Sequence, residues 1–228
     1  MSQSKELTER SPLRVLDRSI HGGLGRGNLG LVCAGAGAGK SAFLVAVALD
    51  HLLAGRQVLH VALDHPVDRV RDYYDEIFSE LAATEALEDV SRTRQEIESK
   101  RRIHVFGPHT FSVEHLEQTM QLFEQHAGQH PSCLVVDGYD FERGSVEEVS
   151  GLKSLADARG AELWMSARLR KDGSAEPIAA YDGLIDVLLR LKGDGNSVHL
   201  QLLKEHGRAV GEGVGVDLDP TTLLLKRV

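Results

Sequence analysis

A run of small residues between two apolar segments constrains the fold of this chain more than any other feature. Residues 33–44 read CAGAGAGKSAFL, and the segment NLGLVCAG that leads into the glycines is typical of a buried strand. The segment KSAFLVAVALDHLLAG is apolar on nearly every side, which predicts a buried helix that stops near Gly55. Small residues between a strand and a helix leave backbone N–H groups open, so we expect this loop to enclose an anion.

The order of these residues matches a phosphate-binding pattern. The pattern G-x-x-x-x-G-K-[ST] is met from residue 34, except that Ala34 stands at the first glycine. Lys40 is expected to reach the β- and γ-phosphates of a nucleotide, and the Ser41 hydroxyl to ligate Mg²⁺. A loop made only for tight packing is the alternative, and the lysine–serine pair argues against it. The predicted nucleotide-binding residues are Gly35, Ala36, Gly37, Ala38, Gly39, Lys40, Ser41 and Ala42.

A second ligand for Mg²⁺ is expected at the end of another strand. The segment CLVVDGYD predicts a buried strand that ends in Asp137. Four apolar residues before an aspartate are a weak motif alone, and they become a strong one after a phosphate-binding loop. An ordinary aspartate at a strand end is the alternative. The predicted metal ligands are therefore Ser41 and Asp137, and the predicted ligands are ATP and Mg²⁺.

Apolar patterns predict a mainly parallel sheet covered by helices. Strand patterns alternate with helix patterns up to about Gly183, and this alternation is typical of α/β proteins. After Gly183 the pattern predicts two strands around a Gly-Asp-Gly-Asn turn and then a final hairpin. We expect residues 1–10 to form a flexible tail and residues 11–228 to form a single domain.

Charge and cysteine content exclude several classes of protein. The formal net charge is −8, which argues against a strongly electrostatic nucleic-acid binder. Cys33 and Cys133 do not make a disulfide framework, and they read as two reduced core thiols. The first ten residues are polar, and the longest apolar run is too short to span a bilayer. We expect a cytoplasmic protein with no membrane segment.

Together these motifs resemble the RecA/DnaB/KaiC group of P-loop ATPases, and its KaiC-like branch most. The resemblance extends over roughly residues 12–228 and begins with LDRSIHGGLGRGNLGLVCAGAGAGKS. It implies a RecA-like three-layer P-loop fold with a β-rich C-terminal extension. It also implies ATP hydrolysis to ADP and phosphate, and a homo-oligomer, with a ring as one form, in which the nucleotide lies between subunits.

The resemblance also shows where the catalytic position departs from the family. The segment VALDHP falls where the family's second core strand ends in its catalytic glutamate, and this chain has Asp64 followed by His65. Aspartate is one methylene shorter, and a general base needs to lie within about 2.6–3.2 Å of its water. A helix-entry Asp-His-Pro without a catalytic role is the alternative. The expected catalytic residues are Asp64, Lys40 and Lys204.

Two further segments resemble parts of the family that contact the terminal phosphate. LWMSARLR falls on the strand with a polar sensor, usually serine-glutamine; here Ser166 is kept, Ala167 stands at the glutamine, and Arg168 follows. LLKEHGR resembles the Lys-x-Arg region that reaches a neighbouring subunit's nucleotide. There Lys204 keeps its charge, His206 replaces the arginine, and Arg208 is a second candidate. Solvated turns are the alternative for these positions.

These departures lead to one main hypothesis and two alternatives. The main hypothesis is an ATP-binding protein with slow or impaired hydrolysis, in which nucleotide is a conformational or assembly switch that an unidentified protein partner reads. The first alternative is a DNA-binding recombinase or helicase-accessory ATPase, suggested by the basic run Arg168, Arg170 and Lys171. The second is a non-enzymatic interaction protein with a vestigial nucleotide site.

Overall fold

The computed structural model describes residues 3–107, 110–195 and 197–228. The helices are α1 (Gln3–Arg10), α2 (Leu13–Ser19), α3 (Lys40–Leu53), α4 (Val67–Thr84), α5 (Val90–Lys100), α6 (Val113–Ala127), α7 (Val146–Ala158) and α8 (Glu176–Ala179), with a 3₁₀ turn at Asp182–Leu184. The strands are β1 (Leu29–Ala34), β2 (Val58–Ala62), β3 (Arg101–Val105), β4 (Cys133–Asp137), β5 (Glu162–Arg168), β6 (Val187–Gly193), β7 (Val198–Glu205), β8 (Arg208–Leu218) and β9 (Leu225–Arg227).

The nine strands in the described residues belong to one sheet with the order β3-β2-β4-β5-β1-β6-β7-β8-β9. The strands from β3 to β6 in this order pair in parallel, and β7, β8 and β9 add antiparallel pairs at one side. The prediction of an α/β fold with a mainly parallel sheet is therefore confirmed. The β-rich end of the chain extends this sheet, because β8 pairs with both β7 and β9.

Two apolar cores lie on opposite faces of the sheet, as a sheet covered by helices requires. The first core contains α3 and the buried faces of α2, α4 and α5, and there Phe43 meets Trp164 edge to face at 5.8 Å between ring centroids. The second core contains Leu116 and Met120 of α6 and Leu152 of α7. Successive side chains of each strand point alternately into the two cores. The register of a strand therefore determines which of its side chains face each helix layer.

Local capping signals decide where several helices begin. Ser145 caps α7, and its Oγ accepts a hydrogen bond from the Glu148 N–H at 3.1 Å, as the spacing predicts. The Glu148 carboxylate does not return to the Ser145 N–H, because it accepts the Tyr139 hydroxyl at 2.7 Å. The Ser145 N–H instead donates to the Tyr139 oxygen at 3.2 Å. Tyr139 therefore accepts the hydrogen bond from the Ser145 N–H that the Glu148 carboxylate would accept in a complete capping box.

The N-terminal segment contains a helix that no sequence pattern predicted. Residues Gln3–Arg10 form α1, and Leu7 is partly buried against the first core. The Arg227 guanidinium donates to the Arg10 carbonyl at 2.9 Å, which joins the two ends of the chain. Leu7 stands among polar residues, so the composition of this segment did not predict its contact with the core. Across residues 3–107, 110–195 and 197–228, no helix combines the length and hydropathy that crossing a bilayer requires.

A buried histidine in β2 predicts a specific pH dependence of stability. The His60 side chain is 1% exposed, and its Nδ1 lies 3.1 Å from the Tyr74 hydroxyl. Burial lowers the pKa of His60 from 6.5 to about 4, against the opposing charge of Asp137. Below pH 6.5 the unfolded chain binds a proton that the folded chain does not, so the free energy of unfolding falls until about pH 4.

We expect His60 alone to lower the free energy of unfolding by roughly 2–3 kcal/mol between pH 7 and pH 4. Urea unfolding at a series of pH values measures the loss. In His60→Gln, whose side chain can still bond Tyr74, that part of the loss should be missing. The exposed His126 gives the matched control His126→Gln, which should lose stability as the wild type does. Equal pH profiles for wild type and His60→Gln would contradict the prediction.

Candidate functional site

Several predicted site residues meet at the carboxyl edge of the parallel strands. Ala62 of β2 pairs with Asp137 of β4, and Ala34 of β1 pairs with Arg168 of β5, so these strands end at the same level. A cleft of about 820 Å³ opens there. Open α/β sheets bind ligands beyond the carboxyl ends of their strands, and this cleft occupies that position.

The cleft walls contain most of the residues that the sequence predicted. The loop contributes residues 36–42, and Asp64, Asp137, Ser166 and Arg168 line the other sides. Leu223, Tyr139 and Tyr73 also line the cleft, and no motif in the sequence predicted them there. Leu223 comes from the turn before β9, where its φ of 58° is unusual for a leucine. No local pattern indicates that this turn returns to the loop after β1.

The loop after β1 has the backbone of an anion cradle. Gly37 and Gly39 have φ values of 70° and 88°, which glycine adopts at no steric cost. A Cβ on Gly39 would lie 2.2 Å from Leu218 Cδ2, so β8 closes one side of the loop. Gly39 is also the N-cap of α3, which begins at Lys40, so the open N–H groups of the first helical turn face the cleft edge.

The Lys40 ammonium group lies over this loop. Its Nζ donates to the Gly35 carbonyl at 2.8 Å and to the Ala34 carbonyl at 3.4 Å. Burial lowers the pKa of Lys40; the charge of Asp137 opposes this shift, and the charge of Arg168 adds to it. A bound anion would stabilise the ammonium form of Lys40 in this position. Its negative charge would replace the neutral carbonyl oxygens as the hydrogen-bond acceptor.

Two carboxylates face the loop across the cleft. Asp137 is 4% exposed, and its Oδ1 accepts a hydrogen bond from the Ser166 hydroxyl. The Ser166 oxygen in turn accepts the Gly138 N–H at 3.2 Å, which fixes the hydroxyl proton toward Asp137. Asp64 lies directly against Gly138, since a Cβ built there would be 2.3 Å from Asp64 Oδ1. Burial and the charge of Asp137 raise the pKa of Asp64, which makes it a better proton acceptor.

The donor set fits a Mg²⁺ ion that is held mainly by phosphate oxygens. Among the described residues, no group of three or more His, Cys, Asp or Glu side chains could hold a metal ion. Mg²⁺ is usually bound by one or two carboxylates together with waters and substrate phosphates. The Ser41 hydroxyl and the Asp137 carboxylate both line the cleft, so they match this kind of site. An all-protein metal cage is not supported by the residues that the structure describes.

Lys204, His206 and Arg208 do not line the cleft of their own chain. β7 runs antiparallel to β6, and Lys204 pairs with Leu188 near the start of β6. The turn after β7 therefore lies at the opposite edge of the sheet. There the Lys204 Nζ donates to the Asp182 carbonyl at 2.6 Å, and the His206 N–H donates to the Asp186 carbonyl at 2.6 Å. These residues could contact a nucleotide only on a neighbouring chain.

The basic run after β5 is partly neutralised. Arg170 Nε donates to Glu142 at 3.0 Å, and Arg170 Nη1 contacts Glu176. An arginine held by two carboxylates offers little charge to a nucleic-acid backbone, which is read mainly through free Lys and Arg side chains. The basic run therefore gives less support to DNA binding than its sequence indicates.

Together the loop, the ammonium group and the facing carboxylates can bind a polyphosphate with a divalent cation. The backbone supplies N–H donors, Lys40 supplies a charge, and Ser41 and Asp137 supply oxygen ligands. No protein-family model matches this chain, and no curated protein is significantly similar to it. The chemistry of the cleft residues is therefore the basis for assigning a function.

Proposed function

We propose that this chain is an ATP-binding P-loop protein of the RecA/KaiC-like kind that hydrolyses ATP slowly. The observation that carries the proposal is the arrangement of one cleft. Residues 36–42 form one wall, and Asp64, Asp137 and Ser166 lie opposite. The RecA-like part of the proposal is supported by the order of the sheet, in which β5 lies between the loop strand β1 and the strand β4 that ends in Asp137.

In the proposed complex, backbone N–H groups of the loop bind the phosphates from below. Lys40 turns from the Gly35 carbonyl to the β- and γ-phosphates, a small movement for a side chain with four rotatable bonds. Mg²⁺ neutralises phosphate charge while Ser41 and Asp137 hold its protein-facing side. Ser166 keeps the Asp137 carboxylate oriented through the hydrogen bond between their side chains.

Slow hydrolysis follows from the parts that this cleft lacks. Asp64 is the base candidate; its carboxylate is half exposed and rests against Gly138. Ala167 packs in the second core, 1% exposed, so no sensor amide comes from that position. Lys204 lies at the far edge of the sheet, so one chain alone brings no further lysine from β7 to its own cleft. A neighbouring subunit in a homo-oligomer would be needed to supply it, and bound ATP would then act mainly as a switch.

Turnover of MgATP as a function of protein concentration tests this function. We expect turnover below about 1 s⁻¹ for the wild type, because hydrolytic groups are missing from the cleft. A typical enzyme exceeds that rate. Asp64→Glu should raise turnover about tenfold, because the carboxylate then extends one methylene further toward the water. The exposed Asp68 gives the matched control Asp68→Glu, which should leave the rate unchanged.

Two results would overturn parts of this proposal. Wild-type turnover well above 1 s⁻¹ would show that the hydrolytic groups are complete and that the slow-hydrolysis part is wrong. A rate per subunit that rises with protein concentration would support completion of the site by a neighbour, whereas a constant rate would remove the oligomeric part. Absence of MgATP binding by the wild type would remove the whole proposal.

A further inference from the structure

The direction of side chains on β5 assigns the cleft face to Ser166 and Arg168. Successive side chains of a strand point to opposite faces of the sheet. Ala167 belongs to the second core, and the residues on either side of it line the cleft. Ala167, at the position where the resembled family has glutamine, faces the second core, so its lack of a polar group does not change the cleft. The polar group that β5 adds to the cleft beyond Ser166 is the Arg168 guanidinium.

Arg168 lies next to the phosphate-binding loop. It pairs in register with Ala34, the last residue of β1, and the loop begins at the following residue. Lys40 and Arg168 both line the cleft beside this loop, so two cationic side chains share the same end of the cleft. A ligand that brings negative charge between two neighbouring cations lowers the electrostatic repulsion between them.

The Arg168 side chain is also free to take such a ligand. Within the described ranges, no carboxylate lies at ion-pair distance from Arg168, and the residue is exposed. Two residues further on, Arg170 is held by both Glu142 and Glu176. Arg170 also lines the cleft, so the two arginines differ in their ion pairs and not in their location.

We propose that Arg168 binds the terminal phosphate of the nucleotide from within the same chain and so distinguishes a nucleoside triphosphate from a diphosphate. The proposal rests on the proposed function. In the proposed complex the loop and the α3 N-terminus would bind the first phosphates, and Arg168 lines the same cleft beyond Ser166 at the end of β5, where it could reach a third phosphate. A guanidinium can bind two phosphate oxygens at once, which gives both charge and orientation.

This assignment gives the cleft a phosphate sensor that needs no neighbouring chain. Lys204, His206 and Arg208 lie at the opposite edge of the sheet, so they cannot report on the nucleotide of their own chain. A cis arginine would let a single subunit respond to the loss of the third phosphate. The response would then begin on the loop after β5, where Arg170 connects to Glu142 and Glu176.

Calorimetric titration with MgATP and with MgADP tests the proposal. We expect Arg168→Ala to weaken MgATP binding about 10- to 100-fold and to change MgADP binding less than about threefold, because only the triphosphate has the lost partner. Arg168→Lys should recover part of the MgATP affinity, since it keeps the charge without the fork of donors. Arg170→Ala, a matched loss of charge on the same loop, should not produce the triphosphate-selective effect.

The outcomes separate this proposal from the proposed function. If the wild type binds neither nucleotide, the proposed function fails and the assignment of Arg168 fails with it. If the wild type binds MgATP and Arg168→Ala weakens both nucleotides equally, or neither, the nucleotide site stands and Arg168 is not the sensor. A triphosphate-selective loss in Arg170→Ala instead would also overturn the assignment. Thermal unfolding of each variant shows whether a loss of binding reflects a loss of fold.

Discussion

Replacing Lys40 with alanine is expected to weaken MgATP binding by about 100-fold or more. The Lys40 ammonium group donates to the Gly35 carbonyl, and in the proposed complex phosphate oxygens take the place of that carbonyl. Each hydrogen bond to a charged group contributes about 1.5–3 kcal/mol, so loss of contacts to two phosphates gives an effect of this size. Equilibrium titration with a fluorescent ATP analogue and with ATP itself measures the change.

The same substitution should leave the fold intact. Lys40 donates at 2.8 Å to the exposed Gly35 carbonyl and only at 3.4 Å to the carbonyl of Ala34 at the buried end of β1, and burial disfavours the charged form of its ammonium group. We therefore expect the free energy of unfolding to be equal to that of the wild type or slightly higher. Lys192→Ala, at an exposed position of β6, removes the same charge outside the cleft and should bind as the wild type does. Unchanged ATP binding in Lys40→Ala would favour a loop that serves only packing.

Replacing Gly30 with alanine is expected to lower the free energy of unfolding by about 3 kcal/mol. Gly30 is the second residue of β1 and lies opposite Trp164 of β5. A Cβ at this position would lie 2.5 Å from Cε3 and 2.6 Å from Cζ3 of the indole ring. The ring is 3% exposed and packs against Phe43, so it has no open space to move into.

A second strand glycine provides the control for this prediction. In β8, a Cβ on Gly213 would meet no atom within 4 Å, so Gly213→Ala should change the free energy of unfolding by less than about 0.5 kcal/mol. Urea unfolding of both variants measures the difference. Because β1 leads directly into the loop before Lys40, Gly30→Ala should also weaken the proposed nucleotide binding. Equal stability of the two variants would show that β1 and β5 can separate at little cost.

The sequence by itself determined the class of fold and the central part of the candidate site. The strand before Gly35, the helix after Lys40 and the strand that ends in Asp137 are local features, because apolar periodicity and small residues act on neighbouring positions. The Ser145 cap could be predicted for the same reason. Parallel strands end at a common edge, so the meeting of Asp137 with the loop followed once the strands were known.

Only the tertiary structure decided which other residues share the cleft. The register of β5 turned Ala167 into the second core and left Arg168 in the cleft, and one step of register would have reversed them. Contacts between distant segments brought Leu223 to the loop, paired Arg170 with Glu142, and placed Lys204 at the far edge. Such contacts depend on strand order and on packing between segments far apart in the chain, and no local pattern of residues records them.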